Sequence, residues 1–246
     1  MTARQTAESG FLSKTALLIR KDLKVEARGR DTLPPMLAFC LTVTLLLAFS
    51  LPGNTAMRGA VSIPGGTVAL ADVIAGFLWI TVLFAGLIGF ARTFEVERDE
   101  GALDALLLVP LDRSGLYAAK AVSNLVYIVT VQVLLVPVFA LFFSLGLGAG
   151  WFVLALVIAL VDIGFVAVGT LFASLAAQTR SRELILPILA LPVLVPIFIA
   201  AVELTSDLFA GGGLETVAAR GWFGVLIVFD VVFATVGALA FEFAID

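Results

Sequence analysis

Two aspartates lie inside long apolar runs of this chain, where a carboxyl group has few natural partners. Asp162 is near the middle of one run, and Asp230 lies within another. An ionisable side chain at bilayer depth costs about 2.5–3.5 kcal/mol on insertion scales, so it marks either a functional path or a contact between helices. Two interpretations stay open for both residues. One is a substrate or coupling role, and the other is a helix-packing hydrogen bond made by a carboxyl group that could be neutral.

A second set of acids precedes a short apolar segment and predicts a docking element. The run at 102–109 reads as a short helix that Pro110 ends, because proline disfavours helical geometry in the residue before it. Acids at the head of such a helix suit the positive end of its dipole. Leucines at helical spacing would fill a groove on a partner, or would rest among lipid headgroups. Within this coupling segment, 92–117, the residues expected to contact an ATPase are Glu97, Asp99, Glu100, Gly101, Leu103, Leu106, Leu107 and Pro110.

The residues that are missing exclude several kinds of chemistry. The chain has no histidine, so the commonest general base and the commonest ligand for zinc or haem iron are absent. Cys40 is the one cysteine, which excludes an intramolecular disulfide. No G-x-x-x-x-G-K-[ST] loop is present to hold nucleotide phosphates. The sequence therefore predicts a non-catalytic chain with no catalytic or metal site and no stably bound cofactor, which could use ATP only through a partner.

Composition places these residues in a membrane. The 246 residues are 61% hydrophobic and 14% charged, whereas soluble domains are nearer 45–50% apolar. We expect an all-α membrane protein: an N-terminal amphipathic interfacial helix within 1–32 that covers 11–30, and a permease domain over 33–246. Its six spans, each near the length of about 20 residues that a bilayer requires, are predicted at 33–51, 73–91, 117–143, 151–177, 184–202 and 221–244.

The positive charges predict the orientation. Every Lys and Arg except Arg58 and Arg220 falls before the first span, in or beside the second connection, or in the fourth. Cytoplasmic connections carry the excess of Lys and Arg, so both termini and the coupling segment are expected to face the cytoplasm.

Glycines and prolines in the spans have structural interpretations beside functional ones. Three prolines in the fifth span, Pro187, Pro192 and Pro196, predict a kinked helix or a re-entrant gate. Trp79 is either a functional residue or a lipid-facing aromatic, and Trp151 is interpreted as interfacial. Five glycines are expected to allow close helix approach: Gly76, Gly86, Gly89, Gly164 and Gly169.

The chain resembles the CcmB family, the haem exporter protein B permeases, in three places. The first is the basic helix that ends in Arg28-Gly29-Arg30-Asp31, and the second is Gly76-Phe77-Leu78-Trp79. The third is Asp99-Glu100-Gly101-Ala102-Leu103-Asp104-Ala105-Leu106-Leu107-Leu108 with Pro110 and Lys120, which is similar to the family's cytoplasmic segment. The resemblance runs from about Ala16 to Glu203. ABC-2 type permeases in general carry a related cytoplasmic motif.

The resemblance implies an ABC-2-like permease of the inner membrane in cytochrome c biogenesis. It implies a separate CcmA-like ATPase, CcmC-like and CcmD-like membrane partners and a homodimer, with no nucleic acid bound. In that scheme ATP hydrolysis drives haem export or release of a haem-loaded chaperone. Haem would be a handled ligand, and Tyr117, Tyr127 and Met57 are the weak candidates for axial ligation. The alternatives are an ABC-2 permease for another substrate and a secondary transporter driven by protons through Asp162 and Asp230.

Overall fold

The computed structural model describes residues 2–51, 60–63, 66–99, 113–148, 150–177 and 182–244, with side chains over 13–51, 67–93, 115–148, 150–177 and 184–240. Helices dominate these ranges, and one antiparallel hairpin interrupts them. In chain order the elements are α1 (Thr2–Gly29), α2 (Leu33–Ser50), β1 (Ala60–Ile63), β2 (Gly66–Ala69), α3 (Leu70–Asp99), α4 (Arg113–Phe143), α5 (Gly150–Ala177), α6 (Arg182–Phe209), α7 (Leu214–Ala219) and α8 (Trp222–Ala244).

Six of these helices are long and apolar enough to cross a bilayer, which confirms the all-α multi-span class. They are α2, α3, α4, α5, α6 and α8. Continuous helix satisfies the backbone hydrogen bonds that a bilayer cannot, and this is why uninterrupted apolar runs fold this way. The hairpin, which pairs Val61 with Val68, lies in the first connection and was not predicted.

Helix α1 is longer than predicted, because it begins at Thr2 and not near residue 11. It packs on α4. The fully buried positions of its described part are polar, namely Thr15, Asp22 and Glu26, and the partly buried Leu18 and Leu23 also pack against the core.

Helix α3 continues well past the second predicted span, which ended at 91. Glu97 and Asp99 belong to its last turns. These two acids therefore belong to the end of α3, and the short helix predicted at 102–109 lies outside the described residues. No proline or glycine lies between Ala91 and Asp99, so nothing in the sequence breaks the helix where it leaves the apolar region.

Helices α3 and α5 form the centre of the bundle. Helix α5 packs against α3, α4, α6 and α8, and α3 packs against α2, α4, α5 and α6. Glycines permit these close approaches, because a Cβ at Gly86 would overlap the ring of Phe165 and one at Gly169 would overlap the ring of Phe90. Gly89 and Gly164 also lie close to side chains of neighbouring helices. The same expectation was wrong for Gly76, which has open space beside it.

Helix α6 passes through its three prolines without a break. It runs from Arg182 to Phe209 as one helix, so the interpretation of this span as a re-entrant segment was wrong. Pro192 is exposed, whereas Ala190, Leu194 and Ile197 are buried against the bundle. Packing of the α6 face that contacts α3 and α5 holds the helix together where backbone donors are missing.

Candidate functional site

Asp162 is completely buried on α5 and has one polar partner. Its Oδ1 accepts a hydrogen bond of 2.8 Å from Nε2 of Gln132, on α4. Among the described residues, neither Asp162 Oδ2 nor Gln132 Oε1 has a hydrogen-bond partner. The contact joins two spanning helices through groups that cannot reach water, so it supports the helix-packing interpretation of Asp162.

Asp230 lies on α8 with its carboxyl group against a glycine of α5. An added Cβ at Gly164 would lie 2.5 Å from Asp230 Oδ1. Within the described part of the chain, neither carboxyl oxygen of Asp230 has a hydrogen-bond partner, although the side chain is buried. Gly164 thus makes room for a carboxyl group that a larger residue would displace.

The two aspartates do not form one site. Asp162 reaches α4 and Asp230 contacts α5 at Gly164. Positions 162 and 164 are about 200° apart around a helix of 3.6 residues per turn, so the two contacts lie on different faces of α5. The structure brings no described basic side chain to either carboxyl group.

Trp79 is a buried packing residue and does not face lipid. Its indole N–H donates to Thr205 Oγ1 at 2.9 Å, which joins α3 to α6. Its ring meets Phe198 edge-on at 6.0 Å, and Phe198 in turn meets Phe165 at 5.2 Å. Trp151, by contrast, is 39% exposed, as expected of an interfacial residue.

The most extensive polar contact that sequence reasoning missed attaches α1 to α4. Lys120 Nζ lies 2.9 Å from Asp22 Oδ2, and the hydroxyl of Ser123 donates to the same oxygen at 3.3 Å. Lys120 and Asp22 are 4% and 8% exposed, so the pair is buried. Acids at 22 and 26 within the basic stretch 14–30, and a lone lysine early in an apolar span, were the available signals.

Glu26 extends this contact to the first spanning helix. Its carboxylate accepts hydrogen bonds from the backbone N–H groups of Thr32 at 3.1 Å and Leu33 at 2.7 Å. These N–H groups lie at the start of α2, where a helix has unpaired donors and a positive dipole end. Arg30 takes a left-handed backbone conformation, with a φ of 58°, at this junction. One acid of α1 therefore caps α2 while another binds α4.

A polar chain on the same side of the bundle joins the helices that flank the coupling segment. The hydroxyl of Thr93, on α3, donates to Asn124 Oδ1 at 2.7 Å. The amide nitrogen of Asn124, on α4, donates to Thr170 Oγ1 on α5 at 3.0 Å. The first bond joins α3 to α4 near the ends that flank the segment, and the second joins α4 to α5.

Most predicted coupling residues lie outside the described residues. Glu97 and Asp99 lie in the last turns of α3, and the structure does not describe their side chains. The others, which lie outside the described ranges, are Glu100, Gly101, Leu103, Leu106, Leu107 and Pro110.

A second polar cluster lies at the opposite end of the bundle. Arg220 is 2.6 Å from Glu203 Oε2 through Nη1 and 3.1 Å from Asp207 Oδ2 through Nε. Ser206 donates to Asp72 at the start of α3. Through these ion pairs, Arg220 attaches the segment before α8 to the end of α6.

The described residues contain no group of three or more Cys, Asp and Glu side chains placed to hold a metal ion. An apolar groove of about 600 Å³ runs along α8 between Gly221 and Phe233, and neither Asp162 nor Asp230 lines it.

Tyr117 is buried, and its hydroxyl donates to the carbonyl of Ala167 at 3.0 Å. That bond places Tyr117 in the packing between α4 and α5.

Comparison with known proteins extends the resemblance over nearly the whole chain. The family described as CcmB protein matches residues 13–246. Heme exporter protein B of Paracoccus denitrificans is 31% identical over 189 residues, which cover 76% of this chain and 80% of that protein. Heme exporter protein B of Rhodobacter capsulatus is 29% identical over 188 residues, with coverage of 76% and 80%. Heme exporter protein B of Haemophilus influenzae is 26% identical over 187 residues, with coverage of 75% and 77%.

The family match includes the basic N-terminal helix from residue 13 onward, all six spans and the connections between them. The chain belongs to the CcmB protein family.

Proposed function

We propose that this chain is the membrane permease subunit of an ABC transporter complex for cytochrome c biogenesis. The observation that carries the proposal is the match to the CcmB family over residues 13–246, which includes all six apolar helices. Proteins of this family are the permease component of the haem export system for cytochrome c maturation. The complex exports haem or uses ATP to release a haem-loaded chaperone.

ATP hydrolysis belongs to a separate CcmA-like ATPase subunit. The sequence has no phosphate-binding G-x-x-x-x-G-K-[ST] loop, so it supplies no hydrolytic machinery of its own. The segment between α3 and α4 is the ATPase contact. Its apolar stripe of Leu103, Leu106 and Leu107 enters a groove on the ATPase, and the acids before it set the orientation.

The geometry around this segment favours force transmission. Its flanking helices are joined by the Thr93–Asn124 hydrogen bond, and α4 is joined to α1 by Lys120 and Asp22. A displacement of the segment would therefore move α3, α4 and α1 as one group, because buried hydrogen bonds resist separation. Tyr117 is engaged in packing, which favours this role over stable axial ligation of haem.

The chain lies in the inner membrane with both termini in the cytoplasm, as a homodimer with two ATPase subunits and CcmC-like and CcmD-like partners. The distribution of Lys and Arg supports the orientation, and membership of the CcmB family supports the partners. The basic helix α1 and the segment between α3 and α4 lie at the same end of the bundle, since Lys120 binds Asp22 and Thr93 binds Asn124 near the start of α4.

The test is an acidic substitution in the leucine stripe, measured by co-purification of the ATPase and by cytochrome c maturation in cells. Leu106→Asp or Leu107→Asp should leave the permease inserted but remove both the bound ATPase and maturation. Leu214→Asp is the matched control, because Leu214 is 50% exposed on α7 at the opposite end of the bundle. If the Leu106 and Leu107 variants kept their ATPase and full maturation, the segment would be only a membrane-resting loop.

A further inference from the structure

The Gln132–Asp162 contact leaves two unsatisfied oxygen atoms that a single proton can join. The pair makes one hydrogen bond, from Gln132 Nε2 to Asp162 Oδ1. The atoms left without partners among the described residues are Asp162 Oδ2 and Gln132 Oε1, one on each side chain. Asp162 is 0% exposed and Gln132 is 3% exposed, so water does not reach either atom from the surface.

An ionised Asp162 would leave both atoms unsatisfied. A carboxylate can only accept hydrogen bonds, and the oxygen of a glutamine amide can only accept as well. The two free oxygens would then face a low-dielectric interior with a full negative charge and one hydrogen bond. Burial of a charge without a counter-ion is the most unfavourable arrangement for such a group.

A proton on Asp162 removes the buried charge and also supplies a hydrogen-bond donor for the two unsatisfied oxygens. A neutral carboxylic acid has one O–H donor, and an amide offers one oxygen acceptor beside its N–H donor. The acid and the amide can then meet through two parallel hydrogen bonds, one of which is already present. Rotation of the Gln132 amide by half a turn would place its oxygen against Asp162 Oδ1, and that contact would need the same proton.

We propose that Asp162 is a proton-binding site that stays occupied, so that Asp162 and Gln132 form a neutral acid–amide pair that fastens α4 to α5 inside the membrane. The site holds a proton as a structural component. The protonated pair contributes to helix packing in the same way as the Trp79–Thr205 bond, which is also a buried hydrogen bond between two helices. The inference concerns the protonation of one side chain and does not depend on the proposed partners.

No other described titratable group neutralises Asp162. Asp230 is the other described acid buried against α5, but it contacts this helix at Gly164, on a different face from Asp162. None of the titratable side chains described on the helices that pack against α5 forms a hydrogen bond or an ion pair with Asp162; they are Asp72, Arg92, Tyr117, Lys120, Tyr127, Glu203, Asp207 and Asp230.

Infrared spectroscopy of the purified chain in lipid vesicles tests the proposal directly. The spectrum of the wild type minus that of Asp162→Asn at neutral pH should contain the carbonyl stretch of a protonated carboxylic acid. That band should shift in a Gln132→Leu background, because its hydrogen bond is lost. Asp31→Asn, at an exposed position, is the matched control and should remove carboxylate bands instead. A difference spectrum for Asp162→Asn that contains carboxylate bands and no acid band would overturn the proposal.

Stability gives an independent measurement. An asparagine has the shape of the neutral acid and can pair with the Gln132 amide through the same two contacts. Asp162→Asn should therefore keep the unfolding midpoint of the wild type in mixed detergent micelles, whereas Asp162→Val should lower it by leaving the amide unpaired. If Asp162→Asn lowered the midpoint as far as Asp162→Val does, the negative charge itself would be required and the neutral pair would be refuted.

Discussion

Lys120 and Asp22 form a buried ion pair between the spanning helix α4 and the N-terminal helix α1, with 2.9 Å between Nζ and Oδ2. The two residues are 98 positions apart in the sequence. The pair attaches to the bundle a helix that is rich in basic residues and was expected to lie on the membrane surface. It also lies at the start of the helix that follows the coupling segment, so it connects α1 to the part of the chain where we place the ATPase.

Removing one partner of this pair should be strongly destabilising. Lys120→Met removes the close, buried partner of the Asp22 carboxylate and leaves only the more distant and exposed Lys21, whose Nζ is 3.7 Å from Oδ1. Loss of one member of a buried pair costs about 3–5 kcal/mol. We expect detachment of α1 and a lower unfolding midpoint, measured by protease accessibility of residues 1–30 and by unfolding in mixed micelles. The exchanged double variant Asp22→Lys with Lys120→Asp should recover much of the loss. If the exchange recovers nothing, the charges are not what joins the helices.

The Trp79–Thr205 hydrogen bond should contribute measurably to the packing of α3 on α6. Thr205→Val keeps the side-chain volume but leaves the buried indole N–H without an acceptor, and an unsatisfied buried donor costs about 1–3 kcal/mol. Trp151→Phe is the comparison variant, since Trp151 is 39% exposed and should change the unfolding free energy by less than about 0.5 kcal/mol. Equal midpoints for Thr205→Val and the wild type would mean that this bond adds no stability.

Gly169 and Gly76 should respond differently to substitution by alanine. A methyl group at Gly169 would overlap the ring of Phe90, which is buried and meets Phe165 edge-on at 5.0 Å, so Gly169→Ala should cost about 1–3 kcal/mol through overpacking. Gly76 has no atom within 4 Å of an added Cβ. Gly76→Ala should therefore be neutral or stabilising by up to about 1 kcal/mol, because alanine favours helix. Unfolding midpoints of the two variants give the comparison.

Single introduced thiols should report the orientation of the bundle. In a Cys40→Ala background, cysteines at Ser114 and Thr179 should react only with reagents that reach the cytoplasm. A cysteine at Thr55 should react only from outside, since Lys and Arg concentrate in the cytoplasmic connections. Labelling of position 114 from outside would reverse the orientation and remove the coupling segment from the ATPase side.

The sequence by itself determined the six spans and the presence of an N-terminal helix. Each of these depends on local composition, because a run of about 20 apolar residues suffices for a bilayer whatever its neighbours are. The CcmB resemblance followed from short motifs in the same local way, and the family match confirmed it. The extension of α3 to Asp99 is also determined locally, because no proline or glycine lies between Ala91 and Asp99 to end the helix.

Only the tertiary structure decided which polar groups meet. Trp79 pairs with Thr205 at a separation of 126 residues, and Asp162 pairs with Gln132 on a different helix. Such contacts depend on the depth and rotation at which each helix is set against its neighbours, and the periodicity of one helix does not specify either quantity for another. The sequence therefore shows Asp22 and Lys120 only as two charged residues. Their buried contact depends on how α1 packs against α4.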